Sequence, residues 1–256
     1  IEEGLVKLPD STFYGCTGPL EVSLPGSLKT IGGSAFNRCT GIKKITIPDT
    51  VTEIGAAAFT NTGLESVKMS NGLVKLGENA FSNSKLVSIQ LPNTVIDIGN
   101  YVFRGCTELK EVTLPNIRQN IVAGMFEGCT SLEKIVLPET VTAIRESAFK
   151  NCTSLKDITW SKAPEIIESN AFRNCSALTE VTIPGTVKSI GDCAFLNCDA
   201  LTSITIPDSV TNFGNRMFYD CDALTTVKLG SGLKSIPESA FEHCDVLANL
   251  SVPRCV

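Results

Sequence analysis

The sequence predicts a repeat solenoid, in which short similar units stack on one another along the whole chain. Its strongest indication is the spacing of phenylalanine, which recurs every 22 or 23 residues through a chain of 256 residues. A period of about 20 to 50 residues is typical of solenoids, because one unit cannot bury its apolar face without its neighbours. The series is Phe13, Phe36, Phe59, Phe81, Phe103, Phe126, Phe149, Phe172, Phe195, Phe218 and Phe241.

Each unit contains one predicted β-strand. Its apolar residues alternate with polar ones, as at Val181 and Ile183 or at Ile204 and Ile206. Period-two alternation of β-branched residues indicates a half-buried strand. A proline such as Pro207 then follows in most units and ends the strand, because proline has no N–H to donate. Stacked parallel strands lie about 4.8 Å apart, so eleven units predict a solenoid about 50 Å long.

The second half of each unit predicts a shorter crossing segment and a turn. A Val-x-x-Ile pair such as Val187 and Ile190 is followed by a turn that ends in Ala-Phe, long enough for one helical turn. The sequence therefore predicts an α/β repeat solenoid. It is a leucine-rich-repeat right-handed superhelix with a parallel concave β-sheet, and with short strands and 3-10 turns on the convex side.

The full pattern of one unit is F-x-x-C-x-x-L-x-x-I-x-I-P-x-x-V-x-x-I-G, seen in FLNCDALTSITIPDSVTNFG from Phe195 to Gly214. This pattern resembles the bacterial surface-antigen type of leucine-rich repeat, called BspA-like, over essentially the whole chain. The resemblance implies a secreted or surface-anchored protein that acts in adhesion and in binding a host or partner molecule. The family has no fixed catalytic or ligand-binding residues to transfer.

The unbroken repeat predicts that residues 1–256 are a single leucine-rich-repeat domain of about eleven repeats of 22–23 residues. Both ends are expected to be cut mid-repeat. Leu5 and Leu8 already occupy the Val and Ile positions of a unit, and the chain ends just after a strand at Leu250 and Val252.

The composition argues against several classes of function. A net charge of -5 gives no basic footprint for nucleic acid, and no apolar run reaches the length of about 18 residues that a membrane span needs. No phosphate-binding loop, dinucleotide fingerprint or hydrolase motif appears, and one histidine without a C-x-x-C pair makes a zinc site unlikely. We therefore expect no enzyme activity and no cofactor or metal.

Nine of the eleven cysteines lie three residues after a phenylalanine, which predicts a buried column of free thiols. Cysteine in such a column behaves as a small apolar residue, and parallel Cβ vectors on neighbouring rungs stay too far apart for disulfides. Cys193 and Cys255 lie outside the column. Cys193 is expected to be exposed, and the sequence leaves open whether either is reactive.

Two segments depart from the pattern. Arg118 replaces the usual Val, and Trp160 replaces an aliphatic strand residue before the irregular segment 161–167. The two segments lie in repeats that are close to one another in the stack. They therefore predict either a local bulge that serves as a contact site or ordinary sequence drift. We expect Trp160 to point into the core, because its position alternates inward.

The outward residues of the predicted strands form the candidate binding surface, which we call the strand face. Solenoids use their concave surface for binding. These residues are small, polar and of mixed charge, which favours weak or avidity-dependent binding, unless Thr and Ser occur there only for β-propensity. The strand face comprises Lys44, Thr46, Ser66, Lys68, Ser88, Gln90, Glu111, Thr113, Lys134, Asp157, Thr159, Glu180, Thr182, Ser203, Thr205, Thr226 and Lys228.

These observations predict a non-enzymatic protein- or glycan-binding adhesion ectodomain of a secreted or cell-surface protein. Its expected partner is a protein or glycan on a host or neighbouring cell. Two alternatives stay open: a structural spacer or assembly module, and an accessory region of a larger enzyme.

Overall fold

The computed structural model describes residues 3–116 and 120–253, which form nineteen short parallel strands joined by turns. Ten strands have three residues and nine have two. The three-residue strands are β3 (Lys44–Thr46), β5 (Ser66–Lys68), β7 (Ser88–Gln90), β9 (Glu111–Thr113), β10 (Lys134–Val136), β12 (Asp157–Thr159), β14 (Glu180–Thr182), β16 (Ser203–Thr205), β18 (Thr226–Lys228) and β19 (Asn249–Ser251). The two-residue strands are β1 (Lys7–Leu8), β2 (Thr30–Ile31), β4 (Glu53–Ile54), β6 (Lys75–Leu76), β8 (Asp97–Ile98), β11 (Ala143–Ile144), β13 (Ile166–Ile167), β15 (Ser189–Ile190) and β17 (Asn212–Phe213).

Both sets of strands pair between successive repeats in parallel, with partners 22 or 23 residues apart. Among the three-residue strands, Ser203 is opposite Thr226 and Ile204 is opposite Val227. The two-residue strands form sheets in the orders β1-β2-β4-β6-β8 and β11-β13-β15-β17. The predicted parallel solenoid is confirmed, whereas the handedness of the superhelix and the concavity of its sheet stay predictions.

Besides the pairing of the three-residue strands and that of the two-residue strands, a third line of backbone hydrogen bonds joins the turns that carry phenylalanine. The amide of Phe36 donates to the carbonyl of Ala58 at 2.8 Å, and the amide of Ser34 donates to the carbonyl of Ala56 at the same distance. The same bonds recur along the described chain, for instance from Phe172 to Ala194 at 2.9 Å. Neighbouring repeats are therefore tied along three separate lines wherever their three-residue strands also pair.

The expected α/β class and 3-10 turns are not confirmed, because the described residues contain strands and turns but no helix of either type. The backbone gives the reason. Each turn holds two residues with left-handed φ four positions apart, such as Ser34 at 53° and Arg38 at 63°. A left-handed residue cannot continue a right-handed helix, so each reversal stops after a single turn.

The phenylalanine column forms a continuous ring stack, as predicted. Neighbouring ring centroids lie between 5.1 Å and 6.0 Å apart and their planes differ by 3° to 18°. Nine of the eleven rings are completely buried, while Phe13 and Phe241 at the two ends of the stack are partly exposed. Offset stacking at this spacing is favourable, so the column stabilises both the core and the alignment of repeats.

The cysteine column consists of free thiols, also as predicted, and eight of them are buried. Each buried thiol donates to the carbonyl of the phenylalanine in the preceding repeat, as Cys152 Sγ does to Phe126 O at 3.1 Å. Burial raises the pKa of Cys106 to about 11 and the pKa of Cys221 to about 12. The buried members are Cys39, Cys106, Cys129, Cys152, Cys175, Cys198, Cys221 and Cys244.

Three cysteines do not belong to the buried column. Cys16 occupies the column by sequence but is exposed, because its repeat has Pro19 at the usual Leu position and forms no three-residue strand. Cys193 is partly rather than fully exposed and has left-handed φ of 56°. Cys255 lies outside the described residues.

Candidate functional site: the strand face

All seventeen residues of the strand face are exposed to solvent. Strand geometry places them there, because alternate side chains of a strand point to opposite sides. In β16, for example, Ser203 and Thr205 are exposed while Ile204 between them is buried. Whether this surface binds a ligand is a separate question, which the charges and the shape of the surface address.

Ten ion pairs join charged side chains of neighbouring repeats in the described chain, and none of them involves the strand face. Lys188 meets Glu165 at 2.9 Å on the two-residue-strand side, and Lys43 meets Glu65 at 3.2 Å just before β3 and β5. Within residues 3–116 and 120–253, by contrast, no strand-face charge has an ion-pair partner within 4.0 Å. The unpaired set is Lys44, Lys68, Glu111, Lys134, Asp157, Glu180 and Lys228.

The sequence reasoning missed one feature of this surface. The residue that precedes each three-residue strand is also exposed, and this outer column carries ion pairs such as Lys156 with Glu133 at 3.7 Å. Val136, whose outward position strand alternation predicts, stands in the same column as Thr159 and Thr182, and 58% of it is exposed. Counting three outward positions per repeat instead of two would have found the outer column.

The sheet of the strand face is interrupted at three seams. Strand pairing is absent between β5 and β7, between β9 and β10, and between β12 and β14, all within the described part of the chain. Depressions lie at the first and third of these seams, and another lies beside residues 22–24, where the edge of β3 opposite β5 is unpaired. Periodicity alone predicts equal rungs, so it gave no sign of these seams.

The seam between β12 and β14 forms a depression of about 640 Å³ and brings together six predicted or singled-out residues. Trp160 lines it, and its ring packs edge-on against Phe172 with centroids 6.0 Å apart. The predicted inward packing of Trp160 is thus confirmed, but the side chain is only partly buried. The six residues are Lys134, Asp157, Thr159, Trp160, Glu180 and Thr182.

Of the two irregular segments, only 161–167 lies wholly within the described residues, and its strand β13 stays paired on both sides, so a bulge shared with Arg118 stays a prediction. Segment 161–167 keeps the fold although its sequence departs from the pattern. Ser161 donates to Val141 O at 2.6 Å, and Pro164 is buried at the position that Val occupies in other repeats. Arg118 lies outside the described residues. Nearby, Asn120 Oδ1 accepts from the amides of Thr142 at 3.1 Å and Ala143 at 2.7 Å, and so replaces a backbone carbonyl.

The described residues offer no site for a metal or a Cys–His nucleophile. They contain no cluster of three or more His, Cys, Asp or Glu side chains that could hold a metal ion. His243 packs edge-on against Tyr219, whereas Cys244 Sγ donates to Phe218 O at 3.0 Å. The same part of the chain contains no helix long and apolar enough to cross a membrane.

These features define a leucine-rich-repeat solenoid with one exposed polar face. The chain belongs to the BspA-type leucine-rich-repeat family, whose model matches residues 1–106, 74–176 and 165–256 in six copies. A search of curated proteins finds no significant match.

Solved bacterial structures share the fold. A leucine-rich repeat protein from Bacteroides ovatus is 28% identical with a TM-score of 0.93, covering 98% of this chain and 65% of that one. A leucine rich cell surface protein from Faecalibacterium prausnitzii is 24% identical, with a TM-score of 0.58 over 96% of this chain and 78% of its own. The pneumococcal vaccine antigen PcpA is 19% identical, with a TM-score of 0.65 over 98% of this chain and 64% of its own. This chain therefore spans less than two thirds of the length of its Bacteroides relative.

Proposed function

We propose that residues 1–256 are a single non-enzymatic binding domain in the ectodomain of a secreted or cell-surface adhesion protein. Its partner is a protein or glycan on a host or neighbouring cell, and the strand face is the contact surface. Membership of the BspA-type family supports the surface role, as does the cell-surface description of the Faecalibacterium relative.

One observation carries the choice of surface. Several charges beside the three-residue strands and on the two-residue-strand side form ion pairs with adjacent repeats, such as Lys156 with Glu133 and Lys188 with Glu165, whereas the seven charges of the strand face form none within 4.0 Å. An exposed ion pair contributes little stability, so unpaired charges cost the fold little. They do give a complementary partner charges to contact, which increases association rate and specificity.

The mechanism follows from the three lines of hydrogen bonds. Neighbouring repeats are fixed at the turns, along the two-residue strands and along most of the three-residue strands. A partner that contacts several rungs therefore meets a surface that loses little conformational entropy on binding. Many shallow polar contacts across this surface give affinity that grows with the number of rungs engaged.

The spacer function is the second candidate, and the ring stack favours it. Eleven stacked phenylalanine rings make a rigid element that could hold another domain away from a surface without any ligand of its own. The two functions differ in one measurable respect, since a spacer tolerates any change of the strand face.

A binding screen with two variants separates these functions. The immobilised chain is screened against host matrix proteins and against host and cell-wall glycans, beside two five-residue Ser variants that change net charge equally. The strand-face variant replaces Lys44, Lys68, Lys134, Glu111 and Glu180. The control variant replaces Lys75, Lys162, Lys188, Glu139 and Glu165, which take part in ion pairs off the strand face.

The proposal expects a ligand that the control variant keeps and the strand-face variant loses. A ligand bound equally by all three proteins would move the site to the turns. Absence of any ligand for the folded chain would favour the spacer.

A further inference from the structure

The seam between β12 and β14 opens the solenoid on one side only. The three-residue strands are unpaired there, but the neighbouring lines of hydrogen bonds continue across the same two repeats. Ile166 remains paired with Ser189, and the amide of Asn170 donates to Asp192 O at 2.9 Å. The two rungs therefore separate at the strand face while they stay joined at the turns and along the two-residue strands.

Trp160 distinguishes this seam from the other two. The neighbouring repeats have Leu137 and Ile183 at its position, and both are buried. An indole is larger than either aliphatic side chain, and this one rests against the Phe172 ring with its outer part exposed in the depression. Ile158 beside it is also only partly buried, although the equivalent Ile135 is buried. The seam thus exposes an apolar floor that is covered in the repeats of Ile135 and Ile204.

The rim of the depression supplies hydrogen-bonding groups of every kind. Thr159 and Thr182 present hydroxyl groups that donate and accept, Lys134 donates, and the carboxylates of Asp157 and Glu180 accept. Both signs of charge are present, so an anion would meet two carboxylates and a cation would meet an ammonium group. This chemistry suits a neutral ligand with many hydroxyl groups and one apolar face.

We propose that this depression is a binding site for a neutral saccharide, an inference that rests on the proposed binding function of the strand face. The apolar C–H face of a sugar ring would lie on the exposed part of Trp160, as aromatic side chains with one wet side allow. Its hydroxyl groups would bond to the threonine hydroxyls and to the carboxylates. A volume of about 640 Å³ lies within the range of small-ligand sites, about 300–1,000 Å³.

An extended peptide fits the seam less well. A peptide that joins a sheet needs a free strand edge with room for a whole strand beside it, about 4.8 Å from each neighbour. The two edges at this seam belong to consecutive repeats that remain hydrogen-bonded elsewhere, so no strand can be inserted between them without breaking those bonds.

The single tryptophan makes a direct test possible, because all indole fluorescence comes from this site. The chain is titrated with hexoses, N-acetylhexosamines and their disaccharides up to tens of millimolar, and the emission of Trp160 is followed. The inference expects a saturable change with at least one sugar. Thr159→Val with Thr182→Val should weaken that binding about fivefold per lost hydrogen bond. A control with Thr153→Val and Thr211→Val, two exposed threonines that lie off the strand face and outside the depression, should bind as the unmodified chain does.

Trp160→Leu gives the sequence of an ordinary repeat, and its binding is followed by calorimetry. We expect sugar affinity at least about tenfold lower, with the fold retained. No saturable change with any sugar, a response only to peptides, or unaltered binding in the Thr159/Thr182 variant would overturn the inference. If one of these results is obtained but the binding screen of the strand face still yields a ligand, the proposed function survives and only the saccharide site fails. If the screen yields no ligand either, the proposed function and the saccharide site both fail.

Discussion

Alkaline pH should destabilise this protein far more than an ordinary domain, because of the buried thiol column. The pKa of Cys106 rises from the usual thiol value of 9.0 to about 11, chiefly through burial, and the pKa of Cys221 rises to about 12. Burial also raises the pKa of Cys129, Cys175 and Cys198 well above its usual value. A raised folded-state pKa keeps the thiol protonated in the folded protein, so the associated stability is complete below pH 9 and is lost as pH rises toward 11.

The magnitude follows from proton linkage. At pH 10 the unfolded chain has released most of the Cys106 proton and the folded chain has retained it, a difference of about 1.4 kcal/mol. Six buried thiols with strongly raised pKa together lose about 8 kcal/mol, similar to the whole stability of an ordinary domain. The six are Cys106, Cys129, Cys152, Cys175, Cys198 and Cys221.

A double difference isolates the contribution of one thiol. Urea unfolding is measured for the parent and for Cys106→Ser at pH 7 and at pH 10, in the presence of a reductant. Serine is a natural occupant of this column, at Ser84, and does not ionise in this range. The cost of the substitution should be smaller at pH 10 than at pH 7 by about 1.4 kcal/mol. An equal cost at both pH values would refute the thiol-ladder explanation.

Five further substitutions make three tests of how the repeats pack, each measured by the free energy of urea unfolding. Phe149→Ala should cost about 3–5 kcal/mol because its ring is completely buried in the stack, and Phe13→Ala at the exposed end should cost less; equal costs would contradict the stack. Gly191→Ala should cost about 1–3 kcal/mol because its Cβ would lie 2.5 Å from the backbone of the preceding repeat. Gly185→Ala, with open space around it, should change the stability by less than about 0.5 kcal/mol, and a similar loss at both glycines would contradict this reading. Asn120→Ala should cost about 1–3 kcal/mol, since two backbone amides lose their acceptor, and a neutral result would show that water replaces it.

Much of the fold could be predicted from the sequence because every repeat must fill the same positions of the core with side chains of similar size. Phe172 must stack on Phe149 and Phe195, and Cys175 must fill the space beside them, so both columns show in the spacing. The turns could not be predicted equally well. Ser147, Cys193 and Arg216 all adopt left-handed φ, and none of these residue types marks that conformation by itself.

The candidate surface likewise has features that the sequence predicts and features that depend on side-chain packing. The outward position of Thr205 follows from strand alternation, and the repeat places Lys134 opposite Asp157. That these two side chains form no ion pair depends on side-chain placement, which no sequence pattern encodes. The seam at Trp160 depends on how one large ring is accommodated between rungs, which is a packing outcome. Sequence reasoning placed Trp160 in the core and therefore did not include it in the strand face.

Surface display tests the central claim, that the strand face makes this chain an adhesin. The chain is displayed on a bacterium that does not adhere, beside the strand-face variant and the equally charged control variant, and attachment to host and neighbouring bacterial cells is counted at matched display levels. The account predicts attachment with the parent and the control variant and its loss with the strand-face variant. Equal attachment by all three, or by none of them, would contradict it.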